Sequence, residues 1–386
     1  MKIIEFSDSF IPIMDGVGNV VYQYAMNLPA KGHECYVVAP MTDTGFRGGY
    51  PFELVDYMGM QLSSMKSYTV GVPNLDAHCQ ARLKMINADI VHVHSPFVAG
   101  QAGLQYANNH DLPIVGTFHS KYYDDFLQLT GIELLAEVGT KYVVDFFNRC
   151  TEVWAVSESS AGTLADYGYK GQIKVMPNGT DIHPLTKAGI QTAAERFPVP
   201  DEIPILLYVG QINWKKNLRC TLEACGLLAK NHPDMDFRLM MAGQGPHEEE
   251  IRKLADELGI ANKVIFTGHL TDHDVLNALY ARASLFLFPS LYDTSGLVTR
   301  EAAAVGTPSI VVKGSSAAEG MTHGVNGFLC ENTPEDLASV IQDALSDPER
   351  LKAIGQKAKE TIPIPWSRLV DDVVAGYEDL LRRYHL

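Results

Sequence analysis

The stretch Ile205-Leu206-Leu207-Tyr208-Val209-Gly210-Gln211-Ile212-Asn213-Trp214-Lys215-Lys216-Asn217 decides the fold. Five apolar residues, a glycine and a polar turn leading into helix-period sequence read as a buried parallel strand followed by a crossover helix. A polar, proline-containing stretch at 183–204 precedes it. Before that break the same alternation has already run once, with apolar strands expected at 2–6, 34–39, 90–93, 114–117, 152–156 and 173–176. After it, strands are expected near 237–242, 263–266, 285–288 and 309–311, again separated by helical segments. Runs of this kind build a parallel sheet covered by helices. The chain therefore reads as α/β, with two doubly wound Rossmann-like domains at 1–185 and 200–366 facing a central cleft. The closing segment has Leu369, Val373, Val374, Tyr377, Leu380 and Leu381 at helical spacing. It predicts an amphipathic helix over 367–386 that packs back on the first domain.

Composition narrows the function. No apolar run reaches the eighteen residues that span a bilayer, and the opening Met1-Lys2-Ile3-Ile4-Glu5 reads as a strand, so a cytoplasmic chain is expected. Six cysteines form no C-x-x-C pair, which points to reduced, buried thiols. A formal charge of −15 argues against nucleic acid as a partner, because phosphate-backbone affinity rests on clustered lysine and arginine.

In open parallel sheets ligands gather where strands end, so the loops after strands hold the candidates. Asp15-Gly16-Val17-Gly18 precedes a helix expected over 19–30, where glycines let backbone N–H groups approach an anion. His92 and His94 alternate on one strand, and Thr117-Phe118-His119-Ser120 closes another. Three histidines could bind zinc, but no neighbouring carboxylate or thiolate completes a recognisable spacing, so the reading is no metal and a polar substrate contact for His119. Lys215 and Lys216 follow the strand 205–209 at the start of a helix, where cations oppose the macrodipole and an anionic ligand explains them better. The strongest constellation is Pro289-Ser290-Leu291-Tyr292-Asp293-Thr294-Ser295-Gly296-Leu297-Val298-Thr299-Arg300-Glu301-Ala302. Amides from Ser295 to Val298 at a helix start suit a diphosphate, and Asp293 and Glu301, eight residues apart, suit sugar hydroxyls. A nucleotide sugar has both groups.

These residues resemble the retaining GT-B glycosyltransferases that include glucosyl-diacylglycerol synthases, phosphatidylinositol mannosyltransferases and relatives of sucrose synthase. Asp293 and Glu301 match the family pattern of Glu, seven residues, Glu, with Ser295-Gly296-Leu297-Val298 between them. The opening loop at 12–18, His119, Asn178-Gly179-Thr180-Asp181, Gly243-Gln244-Gly245-Pro246 and Val264-Ile265-Phe266-Thr267-Gly268 are similar too, over nearly the whole chain. The resemblance implies that Glu301 holds the nucleotide ribose, Asp293 the donor sugar hydroxyls and the amides near Gly296 to Val298 the diphosphate. By the same resemblance Lys216 stabilises the leaving phosphate and His119 contacts the donor sugar near the reacting carbon. Gly16, Gln211 and Gly243 line the donor side, and Asp15, His94 and Ser120 the acceptor side. Two departures stand out: the first acid is Asp293 rather than Glu, and Gln211 replaces the family arginine, with Lys215, Arg300 or Lys313 as candidate compensating cations.

The resemblance implies same-face substitution, since retaining members of the family generally lack a well-placed enzymic nucleophile. No cofactor is expected, since no D-x-D motif is positioned for a metal-bridged diphosphate and a lysine with helix amides can replace the ion. UDP-glucose is the favoured donor, with GDP-sugars as the alternative. A membrane glycerolipid is the favoured acceptor, with peripheral association at the inner membrane face, because the opening loop and the run from His94 to Ser120 most resemble members that glucosylate membrane lipids, while 58–62 and 122–129 could supply apolar surface. Yet 55–90 contains only Lys66, Arg82 and Lys84, fewer cations than an interfacial segment usually has. A soluble sugar or polysaccharide precursor is the other acceptor class. A sugar-binding protein without chemistry, and a catalytically silent homologue, are the rival readings of another class.

Overall fold

The computed structural model describes all residues except 12–14, 42–47, 63–64 and 385–386. The chain divides into two compact units, Met1–Gly179 with Trp366–Leu386, and Thr180–Pro365. The divide falls before residue 185 because the Thr180 amide donates to Ile364 O at 2.7 Å and Thr180 bridges Pro365, so the Asn-Gly-Thr-Asp segment is already split at its middle.

The first unit holds β1 (Lys2–Phe6), β2 (Glu34–Met41), β3 (Glu53–Leu62), β4 (Met65–Gly71), β5 (Ile90–Val93), β6 (Ile114–Phe118), β7 (Glu152–Ala155) and β8 (Ile173–Val175). Their order is β4-β3-β2-β1-β5-β6-β7-β8, parallel throughout except for the antiparallel β3–β4 pair. The second unit holds β9 (Ile205–Val209), β10 (Arg238–Ala242), β11 (Val264–Gly268), β12 (Leu285–Phe288), β13 (Ser309–Val312) and β14 (Phe328–Cys330), in the order β11-β10-β9-β12-β13-β14, all parallel. Central strands are apolar because helices cover both faces: Ile3, Ile4, Phe6, Leu206, Leu207, Phe286 and Leu287 are fully buried. Glu5 is a carboxylate in the middle of that run and is also fully buried.

β3, β4 and β14 were not foreseen. Residues 58–62, expected as apolar surface, belong to β3, where Met58 and Met60 are exposed. The first helix begins at Gly16 rather than residue 19, because the Asp15 carboxylate caps it by accepting from Gly18 N at 2.7 Å. The closing helix, Trp366–Tyr384, packs into the first unit through Trp366, Leu369, Val370, Val373, Tyr377 and Leu380, as its amphipathic pattern requires. Tyr377 stacks on Trp154 with ring centroids 5.3 Å apart.

The two sheets share one topological feature. In each, the chain winds outward on one side and then restarts on the other, between β1 and β5 in the first unit and between β9 and β12 in the second. The carboxyl ends of the strands at such a reversal leave a crevice that the loops line.

Candidate functional site

At the reversal in the second unit, the loop after β9 and the loop after β12 meet. Lys216 Nζ lies 2.7 Å from Asp293 Oδ2, and both side chains are about four-fifths buried. Asp293 Oδ1 accepts from the amides of Gly296 at 3.0 Å and Ser295 at 3.4 Å. Burial alone would raise the pKa of Asp293, but the Lys216 charge and hydrogen bond together with these amides hold it below the usual carboxylate range. The ammonium also faces the rings of Phe288 and Tyr292 at 5.8 and 5.7 Å, while Lys215 sits 4.4 Å over Tyr292.

The loops take these shapes for local reasons. Asn217 turns left-handed at φ 58° before the helix Leu218–Asn231, and its side chain donates to Pro289 O at 3.0 Å, tying the β9 loop to the β12 loop. Gly296 is left-handed at φ 58°, and a Cβ there would lie 2.8 Å from Ala317 Cα, so only glycine starts the helix Leu297–Ala304 at this spot. Gly243 has φ 146°, and its Cβ would fall 1.9 Å from Gly210 O; the Gly243-Gln244-Gly245 turn therefore packs directly on the β9 loop. With Gly296 N engaged by Asp293, the first-turn amides of Leu297 and Val298 are the ones whose intrahelical partners the helix end does not supply.

Glu301 lies one helical turn into Leu297–Ala304, and its Oε2 accepts from the buried Tyr280 hydroxyl at 3.0 Å. Burial raises its pKa, partly offset by the Tyr280 hydrogen bond. Tyr280 is a partner that sequence reading missed, since nothing in 273–282 marks one tyrosine as reaching across to another helix. Gln211 is exposed, with its carbonyl accepting from Tyr208 OH at 2.8 Å. Of the candidate compensating cations, Arg300 reaches Ile362 O at 3.5 Å and the exposed Lys313 lies 3.8 Å from Glu331, whereas Lys215 remains beside Lys216 and Tyr292.

At the reversal in the first unit the chemistry is different. His94 Nε2 lies 2.5 Å from Glu5 Oε2, and His94 Nδ1 lies 3.1 Å from His119 Nε2. His92 Nδ1 is 2.5 Å from Tyr377 OH, and its Nε2 is 2.7 Å from Thr117 Oγ1. Tyr377 OH also donates to Glu5 Oε1 at 3.3 Å. Glu5, His92, His94 and His119 are all buried, His119 retaining 5% of its surface. Burial pushes Glu5 up to about 8, with the Tyr377 bond opposing, and pushes His94 down to about 3 and His92 and His119 well below the imidazole range. The cluster is thus neutral near pH 7.

The carboxylate absent from the histidine spacing is supplied by Glu5, from another strand. Ligand atoms of Glu5, His92 and His94 lie within 4.8 Å of one another, the composition of a metal group. In this arrangement the facing atoms of Glu5 and His94 are 2.5 Å apart, a shared-proton distance rather than the about 3.3 Å that separates two ligands on tetrahedral zinc. His94, expected on the acceptor side, has both nitrogens engaged and none left for a ligand, while His119 keeps Nδ1. Ser120 is half-buried at the end of β6, Asp15 caps the helix Gly16–Asn27, and Gly16 begins that helix. Residues 12–14 of the opening loop lie outside the described residues. Asp8 was not foreseen; its carboxylate accepts from Ser95 Oγ and from Ala99 N, fixing the loop after β5 to the loop after β1.

Comparison with known proteins accounts for both halves. Residues 190–361 match the family described as Glycosyl transferases group 1, and residues 14–183 match Glycosyltransferase Family 4. Alpha-monoglucosyldiacylglycerol synthase of Streptococcus pneumoniae is 25% identical over 80% of this chain and 70% of its own length. GDP-mannose-dependent alpha-mannosyltransferase of Corynebacterium glutamicum is 25% identical over 99% of this chain and 89% of its own. Among solved structures, sucrose-phosphate synthase from Thermosynechococcus elongatus superposes with a TM-score of 0.82 at 20% identity, covering 99% of both chains. HepE of Anabaena, solved with UDP and glucose, gives 0.74 at 19% identity over 98% of this chain and 99% of its own. The chain belongs to the group 1 glycosyltransferases and is an enzyme of GT-B fold.

Proposed function

We propose that the protein is a retaining hexosyltransferase that transfers glucose from UDP-glucose to a membrane glycerolipid without a metal ion. The observation that carries the donor half is the Lys216–Asp293–Gly296 arrangement: a cation, a carboxylate and helix amides gathered at one sheet reversal. On this reading Lys216 and the amides of Leu297 and Val298 take the diphosphate, Glu301 the ribose and Asp293 the sugar hydroxyls. Departure of the phosphate concentrates negative charge on its bridging oxygen, and a lysine plus helix amides stabilise that charge more in the transition state than before it. Same-face substitution fits, with the departing oxygen taking the acceptor proton and His119 holding the sugar. The two D-x-D triplets are otherwise engaged: Asp236 pairs with Arg238 and Lys263, and Asp272 caps the helix His273–Arg282.

The lipid acceptor is supported by the diacylglycerol synthase relative and by exposed Leu129, Ile132, Leu134, Leu135 and Val138 on the first unit. Among the described residues no helix is long and apolar enough to cross a membrane, so association would be peripheral. The mannosyltransferase relative, which matches over nearly the whole chain, favours a second reading with GDP-mannose and a carbohydrate acceptor. Product analysis with UDP-glucose and GDP-mannose, each offered diacylglycerol vesicles or soluble glycans in EDTA, tests all of it. Anomeric inversion, or turnover that EDTA abolishes, would overturn the mechanism. Transfer only to soluble glycans would overturn the lipid acceptor.

A further inference from the structure

The buried chain from Glu5 to His119 has a property that none of its residues has alone. Each link has room for one proton, and each histidine in it is neutral, so the proton on one link dictates the next. If Glu5 is protonated, its O–H donates to His94 Nε2. His94 must then carry its own proton on Nδ1 and donate to His119 Nε2, which leaves His119 with its N–H at Nδ1. If Glu5 is ionised, His94 Nε2–H donates to the carboxylate, His94 Nδ1 accepts from His119 Nε2–H, and His119 shows a bare Nδ1. Passing from the first state to the second releases one proton, and that proton leaves from His119 Nδ1 while the negative charge arises on Glu5. The three distances that make the chain continuous are 2.5 Å from Glu5 to His94, 3.1 Å from His94 to His119, and 3.3 Å from Tyr377 OH to the other carboxylate oxygen.

We propose that Glu5 is a positioning residue which, through His94, selects the nitrogen of His119 that bears the proton, so that near neutral pH His119 presents Nδ1–H as a donor to a sugar oxygen. The sugar contact rests on the role proposed for His119; the proton selection does not. Groups facing Glu5 favour the protonated state. Its neighbours are His92 and His94 beside β5, Tyr24 of the helix Gly16–Asn27, Cys35 of β2 and Tyr377 of the closing helix. None of them is a cation near pH 7, because burial holds the histidines neutral. The Tyr377 hydroxyl, shared between His92 Nδ1 and Glu5 Oε1, anchors the carboxyl in plane.

The test is nitrogen-15 NMR of histidine-labelled full-length protein from pH 6 to 9.5, with His119→Gln used to assign the His119 signals. The expected result is His119 protonated at Nδ1 at pH 7, changing to the Nε2–H form with a midpoint near 8. In Glu5→Gln the amide can donate to His94 Nε2 but cannot ionise, so His119 should stay in the Nδ1–H form to pH 9.5. His119 protonated at Nε2 at pH 7, a tautomer that ignores pH in the unmutated protein, or stoichiometric zinc in the purified protein would each overturn the proposal. Kinetics separates it from the functional reading. kcat should fall on the alkaline side in the unmutated enzyme and not in Glu5→Gln, with KM alike in both. A tautomer switch that leaves kcat untouched would uphold the proton selection and refute the catalytic role of His119.

Discussion

The two sheet reversals hold opposite solutions to the same structural problem. In the second unit, Asp293 is held ionised by Lys216 beside it and by the amides of Ser295 and Gly296, at a spot still within reach of water. In the first unit, Glu5, His92, His94 and His119 are packed so deeply that burial suppresses every charge, and the polar atoms satisfy one another instead. The difference follows from partner chemistry. A cation near a carboxylate lowers the cost of both charges, whereas an imidazole is basic enough to share a proton but too weakly basic to keep one when desolvated. One reversal is suited to neutralising phosphate and the other to directing a hydrogen bond.

Breaking the charged reversal should have the largest effect. Lys216→Ala is expected to lower kcat roughly a hundredfold or more, the scale of losing one oxyanion-type donor, with a smaller change in donor affinity. Steady-state kinetics with UDP-glucose checks this, and a change confined to KM would assign the lysine to ground-state binding. Glu301→Ala is expected to weaken donor binding by about 1.5–3 kcal/mol through loss of charge-assisted hydrogen bonds. Calorimetric titration with UDP-glucose and with UDP measures it, and equal losses for both ligands would place Glu301 at the nucleotide rather than the sugar.

The neutral reversal can be sharpened by pH. A carboxyl whose pKa is raised to about 8 by burial stabilises the fold fully below its unfolded value near 4.5 and loses that contribution as pH rises through 8. The three histidines act in the opposite sense: depressed in the fold, they cost stability as pH falls below about 6.5. Between pH 6.5 and 9 the unmutated protein should therefore lose more melting temperature than Glu5→Gln does, as read by scanning calorimetry. Parallel curves would show that Glu5 does not ionise in that window.

The smallest effect is expected at Gln211, where the family arginine is missing. The Gln211 side chain is exposed, and Lys215 and Lys216 already flank the site, so Gln211→Arg should change UDP affinity by less than about threefold, under ~0.7 kcal/mol. A tenfold gain would mean that the second cation is lacking.

From the sequence alone, the two-domain α/β plan and its strands other than β3, β4 and β14 were legible, and Lys216, Asp293, Gly296 and Glu301 could be named as candidates. β1, β5, β9 and β12 match residue for residue because fully buried parallel strands are near-continuous apolar runs bounded by polar turns, interrupted here by Lys2 and Glu5 in β1 and by His92 in β5. Glu53–Leu62 was not read, since Asp56, Gly59 and Gln61 interrupt its apolar residues, and Phe328–Cys330 is too short to show a period. Lys216 and Asp293 could each be named as candidates because each follows its own strand at a recognisable motif, although their pairing at 2.7 Å was not expected. The Glu5 cluster could not. Glu5 lies 89 residues from His94 and 372 from Tyr377, and in sequence it is a lone acid in an apolar strand. Local pattern determines which residues form a strand. Which side chains are sealed together away from water, and so which of them give up their charge, is decided only when β1, β5, β6 and the closing helix pack.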